Sequence, residues 1–547
     1  MPDTTYDAVI IGGGHNGFSV ALYLANSGMT VGVFERNNEV GGGLMTVEIA
    51  APGFWSNVHS HGHMRWMGPD NFPAYADFDL EKKYGVRYRS MQRMGIVFPD
   101  ETCLVFYTPD EPQGLEKFFK EISKFSERDA EQLMRLATPF HGPEKDLLLK
   151  FFYSPPAPFG QGTTLLQEFA EAMGIGEADY HYYMAMSPFQ LLDELFESGE
   201  IKCWFAENMR SISVVLDAYG MGFIGLLVSL IIDSQICEGG SHNLAHAMQR
   251  AFHDLGGKSW TQSEVDRILI ENGRATGIRL VDGSEIQARK VVVSAVDPTQ
   301  TMLRFVGREH LSPKVVRRVE NIQYGYDAII WPQIALHERP KYNAASSNPD
   351  AAELEVAYMG SSSHSLEDYR RANLECALGR LPEGWMPMLA WVNSIADPTR
   401  APKGLVEGGG QLWAPKASAL SEREWLEVKR TMPQRFMKLW EQYASNMTWD
   451  NVIGFNTITP WDVANRNINA QEGGMVFCNL IPSQVYRFRP IPELSGFRTP
   501  IKGLYMCANC MPTVPTGVNG VPGYCCYKVL AEDYGLEKVW EKKGRPY

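Results

Sequence analysis

The 547-residue chain carries no run of basic residues: 51 Lys and Arg stand against 64 Asp and Glu, for a net charge of -13. An acidic balance of that size repels a nucleic-acid backbone and excludes nucleic acid as a partner. No apolar stretch is long enough to span a membrane. The longest, 218–232, lies between Asp217 and Asp233, holds three glycines and falls short of the ~20 residues required. It reads as a buried helix, or as a surface that touches lipid without crossing it. Low-complexity and Pro/Ser-rich tracts are also absent, and 44% hydrophobic with 21% charged residues is ordinary for a folded chain. Nine scattered cysteines, an odd number, give no disulfide framework. MPDTTYDAVIIGGG leaves no room for a signal peptide before strand-like structure begins near Tyr6, which points to the cytoplasm and leaves membrane association open.

What is present starts at residue 7. Asp7-Ala8-Val9-Ile10-Ile11 is the short apolar run of a strand buried on both faces, and it passes directly into Gly12-Gly13-Gly14-His15-Asn16-Gly17. In this GxGxxG turn Gly12 permits the tight bend, Gly14 lets a pyrophosphate approach the backbone, and Gly17 lets the next helix, 18–27, lie close to the strand. That helix aims its free N–H groups at the phosphates. A second apolar strand, 30–34, ends in Glu35, where a carboxylate meets a ribose 2′-hydroxyl and repels a 2′-phosphate. FAD or NAD is therefore expected, and NADP is not.

The next segment separates those two. Arg36-Asn37-Asn38-Glu39-Val40-Gly41-Gly42-Gly43-Leu44-Met45-Thr46 resembles the second glycine motif of flavoproteins of the amine oxidase and phytoene desaturase group: a basic residue, a glycine pair, then Ser or Thr. The family's usual Arg after the pair is Gly43 here, at a position whose side chain contacts flavin and pyrophosphate; retinol saturase-like members share the departure. Farther along, 238–248, Gly256-Gly257, Val265 and 276–280 are similar to the family's second nucleotide stretch, with Asp282-Gly283 as a hairpin-turn signal inside a meander. Residues 290–295 read as the buried return strand before Asp297-Pro298, and 503–510 with 516–523 look like the closing flavin motif.

With four motifs in order, the chain is identified as a member of the phytoene desaturase-like FAD-dependent oxidoreductases. That resemblance implies an α/β fold: a discontinuous Rossmann-type FAD-binding domain over 1–90, 231–310 and 480–547, and a mixed α+β substrate domain over 91–230 and 311–479. It implies FAD as cofactor, held by Gly12, Gly14, Gly17, Glu35, Arg36, Gly41, Gly42, Val265, Asn509, Val518, Asn519 and Gly520.

His59, His61 and His63 alternate, and on a strand they would share one face, as metal ligands or as acid/base groups near the flavin. Trp55, Met64, Trp66 and Met67 surround them with apolar bulk that perturbs an imidazole. His61 and His63 are the catalytic candidates; the alternative is that the three are hydrogen-bonded lining residues without a chemical role. No metal is expected. Two other signals point nowhere. Gly220-Met221-Gly222-Phe223-Ile224-Gly225 repeats GxGxxG, but no strand ending in an acid follows. Cys507-Ala508-Asn509-Cys510 has the spacing of a redox dithiol, yet a flavin turn needs small residues in the same places. Without a second dinucleotide domain, the electron acceptor is expected to be oxygen, a quinone or another protein.

The activity implied by the resemblance is dehydrogenation, that is desaturation, of a C–C bond in a hydrophobic or cyclic small molecule, by hydride transfer to flavin N5. Oxidation of a C–N bond, as in flavin amine oxidases, and redox-neutral isomerase or saturase chemistry use the same cofactor. A non-enzymatic alternative is a lipid-binding protein like the GDP-dissociation inhibitors, against which the intact glycines and Glu35 count. The sequence leaves the oligomeric state open.

Overall fold

The computed structural model describes residues 4–64, 72–91, 93–107, 111, 113–157, 164–231, 234–475, 478–512, 518, 520–545 and 547. Strand Thr5–Ile11 is apolar on both faces and lies inside a seven-stranded sheet, flanked by Val31–Phe34 and Glu285–Ser294, both parallel to it. Lys258–Trp260 extends the parallel part past Val31–Phe34, and Leu504–Met506 pairs with the end of Glu285–Ser294. The first half of Glu285–Ser294 instead pairs antiparallel with Arg274–Leu280, which pairs with Val265–Glu271. One ten-residue strand therefore carries both the meander and the parallel core. Between its arms Gly283 adopts φ +87 and the Asp282 carboxylate accepts the Ser284 N–H at 2.9 Å, an Asx turn that the Asp-Gly pair predicts.

Helix His15–Asn26 covers the sheet with almost every residue buried, because helix Val521–Tyr534 closes over its outer side. Tyr23 stacks on Tyr527 with ring centroids 4.8 Å apart. The C-terminal segment thus completes the layer that the N-terminal segment begins.

A second seven-stranded sheet runs in the order Val452–Ile458, Ile329–Leu336, Val406–Trp413, Met388–Trp391, Val356–Met359, Arg93–Val97 and Cys103–Tyr107. It is antiparallel except where Val356–Met359 meets Arg93–Val97. Where the chain passes between the two sheets, His63–Met64, Ser234–Cys237 and Tyr88–Ser90 form a small sheet of their own. This is the α/β architecture expected from the sequence, a Rossmann-type parallel core joined to a mixed α+β unit.

The apolar run 218–232 folds around a helix, Gly222–Ser229, in which every residue is buried against helices Pro188–Leu195 and Gly199–Ser211. Its second GxGxxG serves packing: a Cβ on Gly225 would lie 3.1 Å from Val214 and 3.3 Å from Pro188. Among the described residues no helix is long and apolar enough to cross a membrane.

Candidate active site

The first glycine turn is shaped by backbone contacts that a side chain would prevent. Gly12 sits at φ +97, and a Cβ on Gly17 would fall 2.1 Å from the Gly12 carbonyl oxygen, so helix His15–Asn26 starts directly on the strand end. Its N-cap, Gly14, makes no side-chain cap, so the first N–H groups of the helix remain available to an anion. The glycine pair closes the same wall. Gly41, at φ +128, donates to the Gly13 carbonyl at 2.8 Å, and a Cβ on Gly42 would stand 3.3 Å from Gly14 Cα.

Glu35 is 6% exposed at the end of Val31–Phe34. One of its carboxylate oxygens accepts the Gly13 N–H and the other the Asn37 N–H, both at 2.9 Å. These residues border a cavity of about 330 Å³ that is also lined by Arg36, Val265 and Asn509. A second cavity, of about 220 Å³, shares His15, Gly43, His59, Asn467 and Asn509 with the first and continues onto the second sheet. An elongated double cavity with a capless helix terminus, a glycine cradle and a buried acid at one end fits a dinucleotide that extends from one sheet toward the other.

The remaining sequence candidates fall around the same space. Val518 lines the second cavity, and Gly520, at φ +62, caps helix Val521–Tyr534 against the Phe72 ring. Asn519 lies outside the described residues. Cys507 and Cys510 are free, buried thiols; Cys507 Sγ lies 3.8 Å from the Asn16 carbonyl oxygen, and burial pushes the Cys510 thiol well up. Buried thiols held protonated do not exchange, which supports the small-residue reading of CxxC. Among the described residues no three His, Cys, Asp or Glu side chains gather as a metal site.

The three histidines do not share a strand. Only His63 is in one, and its Nδ1 pairs with the Tyr88 hydroxyl at 2.8 Å, buried behind the cavity wall. His59 and His61 lie on the loop before it and both line the second cavity. Ring stacking, rather than strand alternation, places His61: its ring lies on Trp391 with centroids 4.2 Å apart. Asn57 steadies the loop, donating to the His61 carbonyl at 3.4 Å while its Oδ1 accepts from Thr46 Oγ1, Ser241 Oγ and Arg400. Neither His61 ring nitrogen has a partner among the described residues. Burial depresses His59, His61 and His63 from 6.5 to about 3, with Arg466 adding to the effect at His59 and Arg400 at His61. These imidazoles are neutral at neutral pH.

The second sheet floors the cavity. Met94, Val356 and Trp391 are paired across three strands, and Tyr358, Leu389 and Gln411 form the next row two residues along. Trp331, Ile329, Ile231, Val463 and Met475 complete the apolar walls. No Asp, Glu, Lys or Arg is among the described residues that line this second cavity. Its polar groups are hydroxyls, amides and the neutral imidazoles. Among the described residues the Gln411 carboxamide donates only to Met475 Sδ, at 4.0 Å, and the Tyr358 hydroxyl, held protonated by burial, meets Ser211 and Asn208.

Sequence reasoning did not find Trp331, Tyr358, Trp391, Gln411 or Arg466. One signal existed: Gly408-Gly409-Gly410 lies inside a strand, where glycine marks a close approach, and a Cβ on Gly409 would stand 2.7 Å from the Trp391 ring.

The family model for flavin containing amine oxidoreductases matches residues 17–328, more than half of the chain. The chain belongs to that family. It is an FAD-dependent oxidoreductase, and its resemblance to the phytoene desaturase-like branch holds in the relatives. One of the two limonene dehydrogenase polypeptides of Castellaniella defragrans is 25% identical over 98% of this chain and 96% of that protein. The 4,4'-diaponeurosporene oxygenase of Staphylococcus aureus is 25% identical over 61% of this chain and 65% of its own length. Among solved structures, a redesigned putrescine oxidase shares the fold with a TM-score of 0.63 at 14% identity, covering 98% of this chain and all of that one.

Proposed function

We propose that this flavoprotein dehydrogenates a C–C bond in a neutral, hydrophobic or cyclic small molecule bound in the second cavity. The observation that carries the reading is the cavity's lack of charge: a protonated amine entering it would lose its water and meet no counter-ion. Relatives named for limonene and diaponeurosporene support a hydrocarbon-like substrate.

In this reading the FAD domain comprises 1–90, 231–310 and 480–547 and the substrate domain 91–230 and 311–479. Gly12, Gly14, Gly17, Gly41 and Gly42 form the phosphate cradle, and Glu35 takes the ribose 2′-hydroxyl. Arg36, Val265, Asn509, Val518, Asn519 and Gly520 complete the contacts. Bound FAD supplies a hydride acceptor at N5. The chain's own part is to hold the substrate, exclude water and take the proton. Trp331, Val356, Leu389 and Met475 bury the apolar body, each fully buried group contributing about 1.5–3 kcal/mol. His61 presents a neutral imidazole with two unpartnered nitrogens to the cavity, so it is the group that receives the substrate proton. At a pKa of about 3 it holds that proton weakly and passes it on to water. His63, tied to Tyr88 behind the wall, is a positioning residue.

The test is anaerobic titration of the oxidised holoenzyme with a cyclic ketone, a polyene and a primary amine, read as bleaching of the flavin bands. Bleaching by the neutral compounds alone is expected. Bleaching by the amine alone would overturn the reading in favour of C–N oxidation.

A further inference from the structure

Gly43 stands where the family usually has an Arg, so the loop after the glycine pair brings no cation to the nucleotide cavity. One arrives from a distant part of the chain. Arg466 ends helix Pro460–Arg466 and lines the nucleotide cavity beside Gly42, Gly43, Met45 and His59. It is absent from the lining of the substrate cavity, which places its head on the phosphate side of the shared wall.

Arg466 is half-buried, and its guanidinium touches the Met45 thioether sulfur, a weak acceptor. Among the described residues it has no carboxylate within ion-pair distance, and burial depresses its pKa with no acid to offset the effect. Other arginines of similar exposure are neutralised: Arg93 by Glu111 and Asp350, Arg545 by Asp77. The nearest acid on its own helix, Asp462, is occupied by Lys429 at 2.8 Å and by the capping box with Thr459. A partly desolvated cation without a counter-charge is unfavourable unless an anion arrives with the ligand.

The segment that follows is fixed in place. Asn469 Oδ1 accepts the Asp297 N–H at 2.8 Å and its Nδ2 donates to the Ala295 carbonyl at 3.4 Å, tying 466–469 to the end of strand Glu285–Ser294. Asn467, Ile468 and Asn469 line the nucleotide cavity as well. The guanidinium is therefore presented from a braced element rather than from a free loop.

We propose that Arg466 pairs with the pyrophosphate of FAD and supplies from the substrate unit the cation that the glycine-pair loop lacks. A planar guanidinium suits this role, since it binds phosphate oxygens in pairs. The arrangement also makes the second unit part of the cofactor site.

The experiment compares wild-type, Arg466→Gln and Arg466→Lys holoenzymes. FAD dissociation is read from the fluorescence of released flavin in a dilution series at low and high ionic strength, together with the flavin midpoint potential. Arg466→Gln is expected to weaken FAD binding about 10- to 100-fold. Its affinity should also depend less on salt, at an unchanged potential. Wild-type affinity and salt dependence in that variant would overturn the proposal. So would an unchanged affinity with a shifted potential, which would put the guanidinium against the flavin ring. If Arg466→Gln fails to fold, Arg466→Lys decides. A several-fold weaker FAD complex at unchanged thermal stability supports phosphate pairing, and wild-type affinity overturns it.

Discussion

At the scale of single residues, the site depends on groups whose state is set by burial. His61 is the clearest case: its ring lies between Trp391 and the cavity, with no carboxylate beside it and with Arg400 nearby. The folded chain refuses a proton that the unfolded chain accepts anywhere between pH 6.5 and about 3. Its contribution to stability is therefore whole above pH 6.5 and is lost as the pH falls toward 3. We expect the His61 ring nitrogens, followed by nitrogen-15 NMR, to show the neutral imidazole throughout a titration from pH 8 to about 4.5. An inflection near 6.5 would mean a solvated histidine and would remove the physical basis for its role. Glu35 is the opposite kind of residue: it accepts two backbone N–H groups and needs no altered pKa to repel a 2′-phosphate.

At the scale of elements, specificity lies in how strands are registered. Tyr358, Leu389 and Gln411 come from three neighbouring strands and meet in one row because the pairing aligns them. The carboxamide of Gln411 has only a sulfur contact among the described residues, so it can bind an oxygen on a neutral substrate. Gln411→Leu is expected to weaken binding of a cyclic ketone or alcohol about 10-fold while leaving the matching hydrocarbon unaffected or bound more tightly. Substrate titrations of flavin bleaching measure both. An equal loss for the two compounds would show that the substitution disturbed packing, not recognition.

At the scale of the whole molecule, the double cavity joins the two sheets, since its walls include Gly14 and Glu35 from one and Val356 and Gln411 from the other. A ligand that fills it stabilises both. Flavin at 100 times its Kd should add about 2.7 kcal/mol to the stability of the stripped protein, visible as a rise in Tm by calorimetry. Coincident transitions with and without FAD would contradict a cofactor site between the sheets.

Much of the nucleotide end was legible in the residues alone, because its requirements are local. A turn that needs φ +97 at Gly12, a helix start that tolerates no Cβ at Gly17 and an acid at a strand end all lie within about thirty residues, and each leaves its mark on residue type. The sequence by itself therefore determined the fold class, the cofactor and the order of the motifs. It could not place His61, whose position comes from stacking on a tryptophan 330 residues away, nor separate it from His63. Nor could it assemble Tyr358, Gln411, Asn208 and Arg466 into one site. Those residues lie on different elements, no local periodicity links them, and only strand register and helix packing bring them together. Tertiary structure decided the substrate cavity for that reason: its lack of charge is a property of side chains gathered from across the chain.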